Sequence, residues 1–253
     1  MGIFDGKVAI ITGGGKAKSI GYGIAVAYAK EGADLVLTGR NEQKLLDAKE
    51  ELERLYGIRV LALQADVTPD DESEDRVKEV VRKTIEVFGR IDVLINNAGF
   101  MAIAPLSELK TDEWDRMIDT NIKGVLYGIA AAFPVFQRQG SGHFINVASV
   151  AGIKVLAPGG VVYSATKFAV RALSEGLRQE AGKTVRTTLI SPGAVESELQ
   201  FGSSDAPSKQ FLHEFYKQAI PAESIARAVL FAIEQPGDVD INEIVVRPTQ
   251  EEF

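Results

Sequence analysis

The chain opens with Lys7-Val8-Ala9-Ile10-Ile11-Thr12-Gly13-Gly14-Gly15, and Ser19-Ile20-Gly21-Tyr22-Gly23-Ile24-Ala25 follows shortly after. An apolar run rich in β-branched residues enters a glycine turn, and a segment with helical spacing of apolar residues comes next. This order predicts a strand, a turn and a helix. Glycines let the backbone approach a diphosphate, and a helix N-terminus supplies N–H donors and positive potential. The stretch therefore favours nucleotide binding over a plain tight turn.

The rest of the chain alternates between short apolar runs and helical patterns. Short Val/Ile/Leu strands separated by helices are typical of a parallel sheet buried on both faces, and right-handed crossovers make such a sheet doubly wound. We therefore predict an α/β fold with a parallel sheet of about seven strands and helices on both faces. Strands are predicted at 7–12, 34–38, 58–64, 91–95, 143–148, 185–190 and 241–246, and helices near 20–31, 41–56, 72–88, 112–138, 161–181, 205–218 and 222–234.

We expect residues 1–253 to form a single dinucleotide-binding catalytic domain, because no linker or repeat divides the chain. Residues 194–218 depart from the alternation and carry helix breakers and four aromatic residues. They follow a predicted strand end, where ligands bind in open α/β sheets. We interpret them as a segment that covers the substrate, and an inert surface excursion is the alternative.

Composition narrows the function classes. Charged residues make up 25% of the 253 residues and the net charge is −7, so no basic surface for nucleic acid is expected. The chain has no cysteine and only two histidines, His143 and His213, which argues against a metal site. We expect no signal peptide, because Met1 to Asp5 lead straight into the first predicted strand, and no apolar run approaches membrane-spanning length. We expect a cytoplasmic enzyme that binds neither nucleic acid nor membranes.

Tyr163 and Lys167 lie four positions apart in a predicted helix, so they share one face. A nearby ammonium favours the phenolate and is expected to lower the pKa of the tyrosine from about 10. Such a phenol exchanges a proton near neutral pH, as the interconversion of carbonyl and alcohol requires. The pair by itself also fits an ordinary surface helix, so the other motifs decide between the two interpretations.

Further motifs follow the predicted strands in order. Together with the glycine turn and the Tyr163–Lys167 pair, they resemble the short-chain dehydrogenase/reductase family from Lys7 to about Glu198. The resemblance implies a Rossmann fold and a homodimer or homotetramer, with the apolar helices near 112–138 and 161–181 pairing between subunits. The motifs are Asp66-Val67, Asn96-Asn97-Ala98-Gly99, Asn121-Ile122-Lys123-Gly124, Ser149 and Ser191-Pro192-Gly193.

The resemblance also implies roles for four residues. Tyr163 would donate or accept the proton, and Lys167 would lower its pKa and hold the nicotinamide ribose. Ser149 would hydrogen-bond the substrate oxygen, although a strand-end hydroxyl that bonds the backbone is the alternative. Asn121 would anchor a water molecule that links Lys167 to solvent. Ser149 stands one position further from Tyr163 than is typical of the family.

The resemblance implies a set of cofactor contacts as well. Three of the residues in this set have alternative roles: Asn97 as a turn former, Asp66 as a helix cap and Ser197 as a loop hydroxyl. The expected contacts are Gly13, Lys18, Ile20, Gly21, Gly23, Arg40, Asp66, Val67, Asn97, Ala98, Gly99, Tyr163, Lys167, Pro192, Gly193, Val195 and Ser197.

The end of the second predicted strand indicates which cofactor is used. An NAD site usually places an acid there, facing the ribose 2′-hydroxyl. Here the strand ends in Leu37-Thr38-Gly39-Arg40, without a carboxylate. Arg40 is suited to bind a 2′-phosphate, and Lys16 and Lys18 add positive charge. The sequence therefore predicts NADP(H).

The glycine loop is longer than is usual in the family and resembles that of the enoyl-acyl-carrier-protein reductases. Their active-site tyrosine stands further from the lysine than the four positions counted here, and Ser149 is present. We therefore expect reduction of a medium-sized, partly apolar ketone or aldehyde, or oxidation of the alcohol. An enoyl-thioester reductase and a catalytically silent nucleotide-binding regulator remain as alternatives.

Overall fold

The computed structural model describes residues 2–67 and 73–252. Within these residues a parallel sheet of seven strands has the order β3-β2-β1-β4-β5-β6-β7. The direction of the strand order reverses between β1 and β4, which places a crevice at their carboxyl ends. The strands are β1 Val8–Thr12, β2 Asp34–Gly39, β3 Val60–Gln64, β4 Val93–Asn96, β5 Gly142–Val147, β6 Val185–Pro192 and β7 Glu243–Val246.

The helices agree with the predicted ones to within a few residues, with one exception. The helix predicted at 112–138 is divided by a π-helical turn, Asp119–Lys123, into α4 and α5. Residue 72, where the third predicted helix begins, lies outside the described residues. The α-helices are α1 Ile20–Lys30, α2 Glu42–Tyr56, α3 Ser73–Phe88, α4 Thr111–Ile118, α5 Gly124–Gln139, α6 Val161–Glu180, α7 Ala206–Phe215 and α8 Ala222–Ile233.

The sheet is buried on both faces, as the side chains of β1 show, which point alternately to one face and the other. Ala9 and Ile11 pack on one side with residues of α1, α2 and α8. Val8 and Ile10 pack on the other side with residues of α3, α5 and α6. Because side chains alternate along a strand, a strand buried on both faces must be apolar at every position. The predicted doubly wound α/β sheet is confirmed, and the single-domain organisation stays a prediction.

His143 lies inside the sheet, on β5. Its side chain is 2% exposed, and its Nε2 lies 2.8 Å from the hydroxyl of Thr188 on the neighbouring strand. Burial, assisted by the positive charge of Arg186, lowers the pKa of His143 to about 3. The folded protein therefore holds this imidazole neutral over the pH range in which an exposed histidine becomes charged.

This burial predicts acid sensitivity. The folded-state pKa of His143 lies below the unfolded value, so its contribution to stability is fully present above about pH 6.5 and is lost as the pH falls toward 3. Between pH 7 and 5 the loss should be about 2 kcal/mol. Urea unfolding at both pH values should show a smaller pH dependence for His143→Gln, which stays neutral. Equal pH dependence in both proteins would contradict the assignment.

Candidate active site

A cavity of about 540 Å³ lies at the carboxyl end of the sheet. Residues that follow six of the seven strands line it, from Gly13 after β1 to Gly193 after β6. Arg40 and Asp66 lie at the end near β2 and β3, and Tyr163 lies at the end near β5 and β6. Its volume is within the range of cofactor and substrate sites.

The glycine turn forms the floor of the cavity. Gly13 has a φ of +70°, a left-handed conformation that favours glycine. Its N–H donates to the Thr38 carbonyl oxygen at 2.8 Å, which joins the turn to β2. Helix α1 then begins beside the cavity, and Ser19 caps it by accepting the Tyr22 N–H at 3.2 Å.

Gly21 and Gly23, both predicted as cofactor contacts, are packing residues rather than residues of the cavity lining. A Cβ at Gly21 would overlap the Gly13 carbonyl oxygen and the Asn97 amide. A Cβ at Gly23 would come within 3.0 Å of the Cβ of Ala222, where α1 crosses α8. These glycines allow the helix to approach the turn closely, so its N-terminal end, at Ser19 and Ile20, lies beside the cavity.

The loop after β4 is attached to this floor by Thr12. Its hydroxyl accepts the N–H groups of Asn97 and Ala98, both at 3.0 Å, and donates to the Ile95 carbonyl oxygen at 3.2 Å. The Asn97 amide donates to the Thr12 carbonyl oxygen at 2.9 Å. The glycine cradle, the helix N-terminus and this fixed loop together fit a bound dinucleotide.

The end of the cavity near β2 and β3 carries two guanidinium groups. Arg40 and Arg116 both line it, together with Asp66 and Thr120. Arg116 stands over the Phe100 ring, with 3.9 Å from its Cζ to the ring centroid. Burial, followed by the charge of Arg40, lowers the pKa of Arg116. The two cations are thus close enough to repel each other, and a pair of neighbouring guanidinium groups would suit an anion.

Sequence reasoning missed Arg116 because no motif surrounds it. Its only signal is the helical spacing of four positions from Thr120, which also lines the cavity. The two lysines that were expected here lie elsewhere. Lys18 is exposed, with its Nζ 3.5 Å from a carboxylate oxygen of Glu196, and Lys16 pairs with Glu51.

The opposite end of the cavity brings together Ser149, Tyr163 and Lys167. Tyr163 is 4% and Lys167 5% exposed, one helical turn apart on α6. The Lys167 Nζ donates to the Val147 carbonyl oxygen at 3.1 Å and lies 5.8 Å from the centroid of the Tyr163 ring. Ser149 lies directly after β5, where its Oγ accepts the Ala151 N–H at 3.1 Å. Three groups able to handle protons therefore meet in one buried corner.

The expectation that Lys167 lowers the pKa of Tyr163 is wrong for this structure. Burial raises the pKa of Tyr163 to about 12, and an interaction with the Ser149 hydroxyl offsets the rise only in part. Burial also lowers the pKa of Lys167 to about 8. The physical reason is that loss of hydration disfavours both charged forms, while the ammonium donates to the Val147 carbonyl oxygen.

Asn121 lies behind this corner, in the π-helical turn, and does not line the cavity. Its Oδ1 accepts the Phe100 N–H at 2.8 Å, and its Nδ2 donates to the Phe100 carbonyl oxygen at 2.9 Å and to the Thr166 hydroxyl at 3.0 Å. The side-chain amide therefore ties the loop after β4 to α6, next to Lys167. The predicted role in holding a water molecule stays a prediction.

Residues 194–218 contribute the outer wall of the cavity. They fold into two short 3₁₀ turns, Glu198–Phe201 and Tyr216–Gln218, on either side of α7. Phe201 is 71% and Phe211 49% exposed although both line the cavity. The wall is largely apolar; its aromatic and aliphatic residues include Leu199, Phe201, Phe211, Leu212, Phe215 and Tyr216, and Phe100, Met101 and Leu156 line the cavity from other loops.

Most predicted contacts do line the cavity. The exceptions among the predicted cofactor residues are Lys18, Gly21 and Gly23. Among the described residues, no group of three histidines, cysteines or carboxylates is arranged to hold a metal ion, and no helix is long and apolar enough to span a membrane. The predicted residues that line the cavity are Gly13, Ile20, Arg40, Asp66, Val67, Asn97, Ala98, Gly99, Ser149, Tyr163, Lys167, Pro192, Gly193, Val195 and Ser197.

The glycine cradle and the buried corner of Ser149, Tyr163 and Lys167 fit a nucleotide-dependent oxidoreductase, and comparison with known proteins gives the family. The model of the short chain dehydrogenase family matches residues 7–207. The chain belongs to the short-chain dehydrogenase/reductase family, as the sequence motifs indicate.

Individual relatives and solved structures agree with this family. A 12alpha-hydroxysteroid dehydrogenase from a Clostridium species is 57% identical over 202 residues, covering 79% of this chain and 77% of that protein. An alcohol dehydrogenase from the archaeon Thermococcus sibiricus, complexed with 5-hydroxy-NADP, has a TM-score of 0.84 at 31% identity and covers 97% of this chain and 98% of its own. A short chain dehydrogenase/reductase from Burkholderia phymatum in complex with NAD has a TM-score of 0.85 at 28% identity, covering 97% and 90%. The Rossmann-like fold is therefore confirmed, and a nicotinamide cofactor is supported.

Proposed function

We propose that this protein is an NADP(H)-dependent oxidoreductase that interconverts a ketone or aldehyde and the corresponding alcohol. The observation that carries the proposal is the meeting of Ser149, Tyr163 and Lys167 in one buried corner of a cavity whose other end holds Arg40. Family membership supports oxidoreductase chemistry. A bound nicotinamide cofactor would supply or accept the hydride.

The residues of the corner would handle the proton. With its pKa raised to about 12, Tyr163 is protonated at neutral pH and suited to donate a proton to a carbonyl oxygen. In carbonyl reduction the Tyr163 proton would pass to the substrate oxygen and leave a phenolate. The Lys167 ammonium would stabilise that phenolate, and the Ser149 hydroxyl would hold the substrate oxygen. Alcohol oxidation uses the same groups in reverse.

NADP(H) is favoured over NAD(H) by the guanidinium groups at the β2–β3 end of the cavity. Arg40 follows β2 at the position where an acid would meet a 2′-hydroxyl, and Arg116 adds a second cation. The glycine cradle and Asn97 would hold the diphosphate and the adenosine ribose. Pro192, Gly193, Val195 and Ser197 would contact the nicotinamide half.

The apolar wall formed by residues 194–218 favours a substrate with a sizeable apolar body. A relative that is named as a hydroxysteroid dehydrogenase makes an alicyclic secondary alcohol a reasonable member of the test set.

Leu126 on α5 and Phe168 on α6 are each about 40% exposed in the single chain, which supports the proposed pairing of subunits through these helices. We also propose a cytoplasmic location.

A substrate screen tests the function. Ketones, aldehydes, a hydroxysteroid and an enoyl thioester would each be offered with NADPH and with NADH, and cofactor absorbance followed. We expect carbonyl reduction with NADPH. Turnover of the enoyl thioester alone would favour the enoyl-reductase alternative. Tight NADPH binding without turnover of any member would favour the silent regulator.

The lowered pKa of Lys167 predicts the pH dependence of reduction. The ammonium is present below about pH 8 and is lost as the pH rises through that value. Carbonyl reduction should therefore decline above about pH 8 in kcat/KM, because the forming phenolate loses its counter-charge. Lys167→Met carries an uncharged side chain of similar shape. This variant should be slower by roughly tenfold or more, and its kcat/KM should not decline above about pH 8. The same decline in the variant, with the same pKa, would show that a group other than Lys167 titrates.

A further inference from the structure

The tail beyond β7 returns to the catalytic end of the sheet. Arg247 and Pro248 leave the strand, and a turn closed by the Glu251 N–H on the Pro248 carbonyl oxygen, at 3.0 Å, directs the Glu251 side chain toward the loop after β6. There its Oε2 accepts the Ala194 N–H at 2.7 Å. Residues far from the sequence motifs thus contact the start of the segment 194–218.

The glycine beside this contact shows how closely the carboxylate packs. The three atoms nearest to a Cβ built on Gly193 all belong to the Glu251 carboxyl group, and at least one of them would overlap it. The Gly193 N–H donates to the Val246 carbonyl oxygen at 2.8 Å, so this backbone has little freedom to move away. Gly193 therefore leaves space for the tail carboxylate on one side while lining the cavity on the other.

The carboxylate also acts on the far end of the same segment. Burial is the main cause that raises the pKa of the Tyr216 phenol, and the negative charge of Glu251 is among the smaller causes. Tyr216 lines the cavity beside Tyr163. Glu251 is therefore hydrogen-bonded to the first residue of the segment 194–218, and its charge acts on Tyr216 near the other end.

We propose that Glu251 is a positioning residue that holds the backbone at Gly193 and Ala194, and with it the segment 194–218, in the arrangement that receives the nicotinamide half and the substrate. The inference rests on the proposed function, because that function assigns this end of the cavity to those groups. Glu251 does not line the cavity, so its effect passes through Ala194 rather than through direct contact.

Binding measurements separate positioning from general loosening of the fold. In Glu251→Ala, NADPH affinity should fall about three- to tenfold and the KM for the carbonyl substrate should rise similarly, with a smaller change in kcat, because one charge-assisted hydrogen bond is removed. The affinity for 2′,5′-ADP should stay unchanged, since that fragment would occupy the Arg40 end. Glu251→Gln keeps an oxygen for the Ala194 N–H and should restore most of the loss. Glu252→Ala, at the exposed neighbouring position, is the matched control.

Equal weakening of NADPH and 2′,5′-ADP would show that Glu251 merely stabilises the fold, and unchanged NADPH affinity and KM would remove its role altogether. Hydrogen exchange without ligand gives an answer that does not depend on activity. Glu251→Ala should raise exchange in peptides covering 194–218 and leave those from β1 to β4 unchanged, and unchanged exchange in 194–218 would overturn the inference. Absence of carbonyl turnover in the wild type would refute the proposed function while this exchange result still decides the role of Glu251.

Discussion

Replacing Tyr163 by phenylalanine should lower turnover by on the order of a hundredfold or more, the effect of removing a general acid. The change deletes one hydroxyl and keeps the ring that packs in the buried corner with Ser149 and Lys167. Steady-state rates on a substrate found by the screen, together with NADPH dissociation constants, would measure it. The NADPH affinity should change little, because Lys167 and the glycine cradle remain.

Tyr28→Phe is a matched control for this experiment. It removes a phenol hydroxyl that is buried in the core and, within residues 2–67 and 73–252, has no hydrogen-bond partner. Its activity should be that of the wild type. Near-normal turnover of Tyr163→Phe would show that another group donates the proton, and equal losses in the two variants would point to a general effect of removing a buried hydroxyl.

Replacing Arg40 by alanine should weaken NADPH binding by roughly ten- to a hundredfold and leave NADH binding almost unchanged. A hydrogen bond to a charged group contributes about 1.5–3 kcal/mol, and NADH lacks the 2′-phosphate that would accept it. Dissociation constants for both cofactors, in the wild type and the variant, measure the effect. The loss should shrink at high salt, because Arg40 is exposed and salt screens the ion pairs of exposed groups.

Arg54→Ala is the matched control, because Arg54 is an exposed arginine on α2 that does not line the cavity. Its effect on either cofactor should be small. Tighter binding of NADH than of NADPH by the wild type would refute the proposed specificity. Equal losses of affinity for the two cofactors in Arg40→Ala would mean that Arg40 supports the site without contacting the phosphate. Arg116 would then be the candidate for that contact.

Local patterns sufficed for the elements of the fold. Apolar runs of strand length and helical periodicity place the seven strands and most helix ends within a few residues of their observed positions. The π-helical turn at Asp119–Lys123 was missed because an extra residue in one turn leaves the apolar pattern on either side intact. The ordered motifs identify the family from Lys7 onward, and the family model matches the same region.

Contacts between distant parts of the chain had no such signal. Arg116 reaches the Arg40 end of the cavity from α4, and Glu251 reaches Ala194 from the tail, each across a wide separation in sequence. Lys18 stands in the glycine loop, where a cation was expected to meet the cofactor, yet its Nζ is beside Glu196. A long side chain's partner depends on which surface folds beside it, and spacing along the chain does not contain that information.

Tyr163 and Lys167 show which properties are local and which depend on the tertiary structure. The spacing of Tyr163 and Lys167 by itself determined that they share one helix face, because helical geometry is local. Their pKa values were decided only by tertiary structure. Packing against the loops after β4 and β5 removes both groups from water. The loss of hydration disfavours both charged forms, so the pKa of the tyrosine rises to about 12 and that of the lysine falls to about 8.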